Sequence, residues 1–409
     1  MSNYISRDSY LDFLKKWKHK DVIKVISGVR RAGKSTLLSM FQEELLREGV
    51  PAEHIVSINL ESRKYRRIVE ANDLEDVIYS QLKSGQYNYV FLDEIQRVKD
   101  FESVVDALFV ERNIDVYITG SNANFLSSEL ATFLSGRYIE LMVYPLSFSE
   151  YVSHIRKEVE EKQYYTLPML YNSYLLSSFP FTVSMTNRED INTYLEGIYS
   201  TVLIRDVVNR NNITEIANLE RIVQFLYSVI GSTISVNKVK NTLASNGLSL
   251  SSTTVDKYIH ALTSSLLFFS VQRYSIRGKR LLSREEKIYP VDLGIRNVVL
   301  PDANEDAGHL LEAVVFLELM RRKQKVYVGK FDAYEIDFVT IDHDKELEFY
   351  QVSLSTLDPN TLERELRPLK KLDNSYPKYL LTLDEVDVNI SYDGIKKINA
   401  LYWLNGLSF

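Results

Sequence analysis

The chain of 409 residues contains no cysteine, which excludes disulfides and thiolate metal sites. Its six histidines never fall at H-x-x-x-H spacing, so a zinc centre is not expected. No apolar run reaches the roughly 18 residues of a membrane-spanning helix. The opening "MSNYISRDSY" has no apolar stretch behind a basic start, so no secretory leader is expected, and the cytoplasm is the expected location. Positive charge is not in excess either. The net charge of -6 gives no general pull toward nucleic acid. What remains is 45% hydrophobic and 25% charged, a composition that folds instead of staying disordered. The length exceeds one ordinary core, so roughly two to four domains are expected.

One stretch carries the chemistry. Lys24 to Leu38 reads "KVISGVRRAGKSTLL". An apolar, β-branched strand ends at Gly28, and Gly33-Lys34-Ser35 opens a helical pattern. This is G-x-x-x-x-G-K-[ST] between the strand and the helix that it requires. The glycines let backbone N–H groups wrap phosphates, and the helix N-terminus adds partial positive charge. Lys34 is expected at the β/γ-phosphates and Ser35 on Mg²⁺. Gly28, Ala32, Gly33 and Thr36 complete the cradle, with Arg30 and Arg31 adding charge. An ordinary glycine-rich turn could carry the same letters. Tyr89 to Glu94, "YVFLDE", argues against that. It is a second buried strand with carboxylates at its C-terminal end, where open parallel sheets bind ligands. Asp93 is expected to hold Mg²⁺ and Glu94 to orient the attacking water. A third strand, "DVYIT", leads to Ser121 and Asn122, placed to sense the γ-phosphate.

The elements alternate: strand 22–27, helix 34–47, strand 55–60, helix 74–83, strand 88–93, helix 101–111, strand 115–119, strand 138–143. That predicts an α/β fold, a parallel sheet with helices on both faces. With Glu94 and the sensor strand in this order, it resembles the AAA and related additional-strand P-loop ATPases. Arg137, just before the last strand, is read either as a finger toward its own or a neighbouring subunit's nucleotide, or as a surface ion pair.

Residues 1–145 are thus read as the ATPase domain and 146–216 as a helical connector. Residues 217–300 give helix, turn, helix and hairpin, the order of a winged helix. Between 218 and 290, ten bases face four acids. Arg277, Lys279 and Arg280 crowd the hairpin tip, and Lys257 lies on the second helix. Duplex DNA is one expected partner; a packing module with solvated bases is the other reading. Residues 301–409 run α-β-β-β-α-β, which resembles the PD-(D/E)xK nuclease core. The resemblance would put a metal on Asp337, with Glu312 assisting. Gln351 stands where such nucleases carry a Glu, and Ser353 where they carry a Lys. A neutral ligand and a missing ammonium point to a degenerate, restriction-endonuclease-like scaffold.

The whole chain resembles one prokaryotic family: an AAA-type ATPase domain, a winged helix and a degenerate nuclease-like domain. The blocks that carry the likeness include "YISRDSYLDFL", "IKVISGVRRAGKSTLL", "YVFLDEIQ", "SGRYIELMVYPLSFSEY", "KIYPVDLGIRN", "GHLLEAVVFLEL" and "EIDFVTIDHDKELEFYQVS". The resemblance implies ATP and Mg²⁺ as ligands and ATP hydrolysis as the activity. It leaves open a DNA-linked ATPase and a nucleotide-dependent switch with a protein partner, and it leaves oligomeric state open. An active nuclease is the third reading.

Overall fold

The computed structural model describes residues 4–121, 134, 136–158, 165–301, 306–322, 325–342 and 344–407. They fall into two compact units: Met1–Pro145 with Ser264–Leu266, and Leu146–Thr263 with Leu267–Phe409.

The first unit is built on a five-stranded parallel sheet in the order β2-β3-β4-β1-β5. Its strands are β1 (Ile23–Ser27), β2 (Ile55–Asn59), β3 (Asn88–Asp93), β4 (Ile114–Thr119) and β5 (Tyr138–Met142). Its helices are α1 (Asp8–Trp17), α2 (Lys34–Arg47), α3 (Ala71–Tyr79) and α4 (Phe101–Val110). Strands β1 and β3 are buried along their whole length, as expected when helices cover both faces. Alternation sorts their side chains between the two faces. Val90, Leu92, Val116 and Ile118 join Leu74, Ile78, Val104 and Leu108 of α3 and α4 in one core. Phe91 and Tyr117 point the other way, stacked at 4.7 Å, and Phe41 of α2 closes on Tyr117 at 5.3 Å. Strand β4 lies between β1 and β3, so the phosphate-loop strand and the carboxylate strand flank a third strand end.

In the second unit, the stretch 146–216 is helical: Phe148–Glu158, Leu167–Tyr174, and Arg188–Thr201, which runs on as a π-helical turn, Val202–Val208. Helices Ile216–Ser228, Val236–Ser245 and Ser252–Ser264 follow, with the short β6 (Thr233–Ile234) between the first two. The hairpin β7 (Phe268–Ser275) and β8 (Arg280–Pro290) comes next, then helix Leu293–Val299 and helix Ala307–Arg321. Strands β9 (Lys325–Phe331), β10 (Tyr334–Ile341) and β11 (Leu347–Val352) precede helix Pro359–Lys371 and β12 (Lys378–Thr382). The chain closes with β13 (Ile390–Tyr392), β14 (Ile395–Asn399) and helix Ala400–Leu404.

The hairpin of the expected winged helix and the strands of the expected nuclease-like domain form a single nine-stranded sheet, β13-β14-β12-β11-β10-β9-β7-β8-β6. Strand β7 runs parallel to β9, with Arg273 opposite Val328. A free β7 edge would expose a row of unpaired N–H and C=O groups, and β9 satisfies them. The sheet therefore does not break near residue 300. Helix Pro359–Lys371 covers one face through Leu366 and Leu369, packed with Ile336, Val339, Phe349 and Leu380. Helix Ala307–Arg321 is buried from Leu310 to Leu319, and its Phe316 stacks on Tyr289 of β8 at 4.5 Å.

Candidate nucleotide site

The loop between β1 and α2 has the backbone that its glycines predict. Gly28 has φ 145°, and a Cβ there would lie 2.2 Å from the Val143 carbonyl oxygen. Only glycine lets the strand end pass so close to its neighbour. Gly33 is left-handed at φ 100°, and so is Arg31 at φ 70°. Helix α2 starts at Lys34 with no side-chain cap, so the first-turn N–H groups of Lys34, Ser35 and Thr36 suit an anion. Lys34 is buried and folds back over the loop. Its Nζ donates to Gly28 O at 2.8 Å and Val29 O at 3.3 Å, and it stands 4.0 Å from Glu94 Oε1. Ser35 and Thr36 are exposed, and Ala32 is buried.

The ends of β2, β3 and β4 converge on one carboxylate. Asp93 Oδ1 accepts from Thr119 Oγ1 at 2.6 Å, and Oδ2 accepts from Asn59 Nδ2 at 2.7 Å. Asn59 is itself fixed, because its Oδ1 accepts the Glu61 and Ser62 N–H groups at 2.8 and 3.1 Å. Thr119 also accepts the Glu94 N–H at 2.9 Å. Glu94 sits at φ 58°, a left-handed position that a non-glycine residue holds only when its surroundings enforce it. Its Oε2 accepts from Gln96 Nε2 at 2.6 Å, and the same Nε2 lies 3.4 Å from the buried Ser121 Oγ. Asn122 lies outside the described residues.

Among the described residues no cluster of three or more His, Asp or Glu could cage a metal. Mg²⁺ at nucleotide sites is commonly held by one or two protein groups together with substrate phosphates. Ser35, at the exposed helix start, and Asp93, fixed on both oxygens, are the groups that would hold it. Both suit a hard cation.

Arg137 is placed away from Lys34, Asp93 and Glu94. Its carbonyl accepts the Ile23 N–H at the start of β1, whereas the loop leaves the far end of that strand. Its guanidinium pairs with Asp106 and lies over the Phe109 ring at 5.7 Å, both on α4. Arg30 reaches Glu61 at 3.3 Å, which Arg97 also approaches at 3.5 Å, and Arg31 is exposed.

Three contributors, Asn59, Thr119 and Gln96, were not singled out in the sequence, and Arg7 was considered only as the end of a segment, 4–7, placed near the adenine. Asn59 and Thr119 meet the carboxylates only through strand pairing, whereas Gln96 reaches Glu94 from two residues along the same turn. Arg7 is buried before α1 and donates to Ala32 O at 3.1 Å and Tyr144 O at 2.9 Å, tying the phosphate loop to the strand-end segment. The polar residue at a strand end is the one signal that could have found Thr119.

In the second unit, Lys257, Arg277, Lys279 and Arg280 are all exposed, and Arg277 pairs with Asp332 at 2.8 Å. Glu312, Asp337 and Gln351 are buried or nearly so, whereas Ser353 donates its hydroxyl to Ser355 O at 3.2 Å.

Residues 20–152 match the family described as "AAA domain", and residues 168–306 match a domain of unknown function (DUF8612). An uncharacterized protein of Haemophilus influenzae is 37% identical over 98% of this chain and 98% of its own length. An uncharacterized protein of Methanocaldococcus jannaschii is 28% identical, over 92% of this chain and 84% of its own. Among solved structures, the Walker-type ATPase of Pyrococcus abyssi has the same fold with a TM-score of 0.52. The likeness covers 72% of this chain and 96% of that one at 14% identity. No described helix is long and apolar enough to cross a membrane.

Proposed function

This chain belongs to the family of the Haemophilus influenzae protein, and its residues 20–152 form a P-loop AAA-type ATPase domain; from that premise we propose that it binds Mg²⁺-ATP and hydrolyses it to ADP and phosphate. The observation that carries the reading is the convergence of Lys34, Asp93 and Glu94, with Lys34 Nζ 4.0 Å from Glu94 Oε1. Lys34 exchanges its loop carbonyls for β/γ-phosphate oxygens. The N–H groups at the start of α2 take the remaining phosphate charge. Ser35 and Asp93 would hold Mg²⁺, which would supply charge neutralisation at the phosphates. Glu94 orients the water that attacks the γ-phosphorus and accepts its proton as the bond to the β-phosphate oxygen breaks. Ser121, just past the end of β4, serves as a sensor of the γ-phosphate. Arg137, at the opposite strand ends, serves only a neighbouring copy if it serves a nucleotide at all.

The test is ATP binding, followed with a fluorescent analogue, beside steady-state phosphate release. Lys34→Ala should lose binding. Glu94→Gln should keep binding and lose about 100-fold or more in turnover. Unchanged turnover in Glu94→Gln would overturn the assignment.

The nucleotide state is proposed to act on a macromolecular partner. Exposed Arg277, Lys279 and Arg280 at one hairpin tip support duplex DNA, and a protein partner is the alternative. DNA predicts stimulated turnover that weakens steeply with salt. Turnover indifferent to duplex at low salt would leave the protein-partner reading.

A further inference from the structure

Away from the nucleotide site, a lysine is buried among carboxylates. Lys287 lies on β8 and is 4% exposed. Its Nζ donates to Glu312 Oε1 at 2.9 Å and stands 3.5 Å from Glu335 Oε1 and 3.6 Å from Asp337 Oδ1. Tyr289, two residues along the same strand and so on the same face, donates its hydroxyl to the same Glu312 oxygen at 2.5 Å. The other Asp337 oxygen accepts the Val352 N–H at 2.9 Å. Gln351 donates through Nε2 to Glu365 at 2.9 Å.

These contacts answer the question left by the nuclease-like element order. That scaffold implies a divalent metal between acidic groups, with a lysine beside it. Here the lysine arrives from a different strand and stands among the acids. Mg²⁺ demands oxygens at about 2.0–2.1 Å in near-octahedral array. The three carboxylate oxygens instead surround an ammonium at hydrogen-bond and ion-pair distances. With Gln351 neutral, the cluster also holds one acidic charge fewer for a single ammonium to balance. Burial, and then the Glu312 charge, push the Asp337 carboxyl up, while Lys287 opposes them. Burial alone would lower Lys287, but Glu312, Asp337 and Glu335 hold it above its ordinary value, so it stays charged.

We propose that Lys287 is the built-in cation of this site: its ammonium stands among Glu312, Glu335 and Asp337, balances their charge and so closes the site to Mg²⁺. The donor set does not fit a metal-dependent nuclease centre. The second unit then has no metal-driven hydrolysis at this site.

The test is Mn²⁺ binding to the full-length chain at neutral pH, measured by calorimetry and by electron paramagnetic resonance. All proteins carry Asp93→Asn to silence the nucleotide site. With Lys287 present, no Mn²⁺ uptake should depend on Asp337, so adding Asp337→Asn changes nothing. Lys287→Ala should gain one Mn²⁺ site at least tenfold tighter than any in its parent, and Asp337→Asn should abolish it. Uptake that Asp337→Asn abolishes while Lys287 is present would overturn the proposal, as would a folded Lys287→Ala that gains no site. If Lys287→Ala does not fold, the comparison with and without Asp337→Asn decides alone: equal uptake supports the proposal and a lost site overturns it.

Discussion

The Thr119 hydroxyl donates to the Asp93 carboxylate at 2.6 Å and accepts the Glu94 N–H at 2.9 Å. One side chain at the end of β4 thus fixes both acidic residues at the end of β3. Thr119→Val keeps the shape and removes the hydroxyl. Partners that orient a metal ligand are worth about 10–100-fold in activity. Steady-state turnover of Thr119→Val should fall by about that factor, with a raised Mg²⁺ requirement. Nucleotide affinity measured without Mg²⁺ should not change. Turnover and Mg²⁺ dependence equal to the parent would show that Asp93 is held by Asn59 alone.

How much of this was legible in the sequence follows from chain distance. The phosphate loop is contiguous, so Gly28, Gly33, Lys34 and Ser35 announce it by spacing. Asp93 and Glu94 end an apolar run, so their position at a strand end is also local. Asn59 and Thr119 become partners of Asp93 only once β2, β3 and β4 lie side by side in register. Lys287 was counted merely as one base among ten, because a charge count cannot show that β8 faces Glu312 and Asp337. The hairpin of 268–290 was read as that of a winged helix, and its place in a larger sheet stayed hidden for the same reason. Its pairing with β9 joins segments about fifty residues apart.

Gly28→Ala tests the loop's packing independently of chemistry. The added methyl would lie 2.2 Å from Val143 O, a backbone atom that cannot rotate away. The residue would also sit at φ 145°. Overpacking of this kind costs about 1–3 kcal/mol. Thermal unfolding should show a clear drop in Tm, with ATP binding lost or weakened. A variant with parental Tm and parental ATP affinity would mean that β1 and the segment after β5 separate at no cost.

The Lys24–Asp115 pair tests the core beneath the sheet. Both side chains are buried, and Asp115 also accepts from Tyr117 Oη at 2.9 Å and His19 N at 3.0 Å. Burial lowers the Lys24 pKa, and Asp115 counters that. Removing one partner strands a buried charge, at about 3–5 kcal/mol. Lys24→Met should therefore destabilise strongly in urea unfolding. Lys24→Met with Asp115→Leu should lose less than the single variant, since the stranded charge is gone. Losses that simply add would show that the two residues contribute independently.

Asp384 gives the second unit an acid-sensitive contact. Its carboxylate accepts from Lys397 Nζ at 2.8 Å, Thr356 N at 3.0 Å and Thr356 Oγ1 at 2.9 Å. Burial alone would raise its pKa, but the hydrogen bonds from Lys397, Ser355 and Thr356 outweigh it and bring the value down from 3.8 to about 2. The folded value lies below the unfolded one. The contribution is therefore complete above about pH 4 and drains away as pH falls toward 2. Asp384→Asn removes the charge at every pH and leaves Lys397 buried without its counter-ion. The Tm gap between parent and variant should be widest near neutrality and narrow steadily below about pH 4. A gap that stays constant down to pH 2 would mean that the Asp384 side chain stabilises this unit by shape and not by charge.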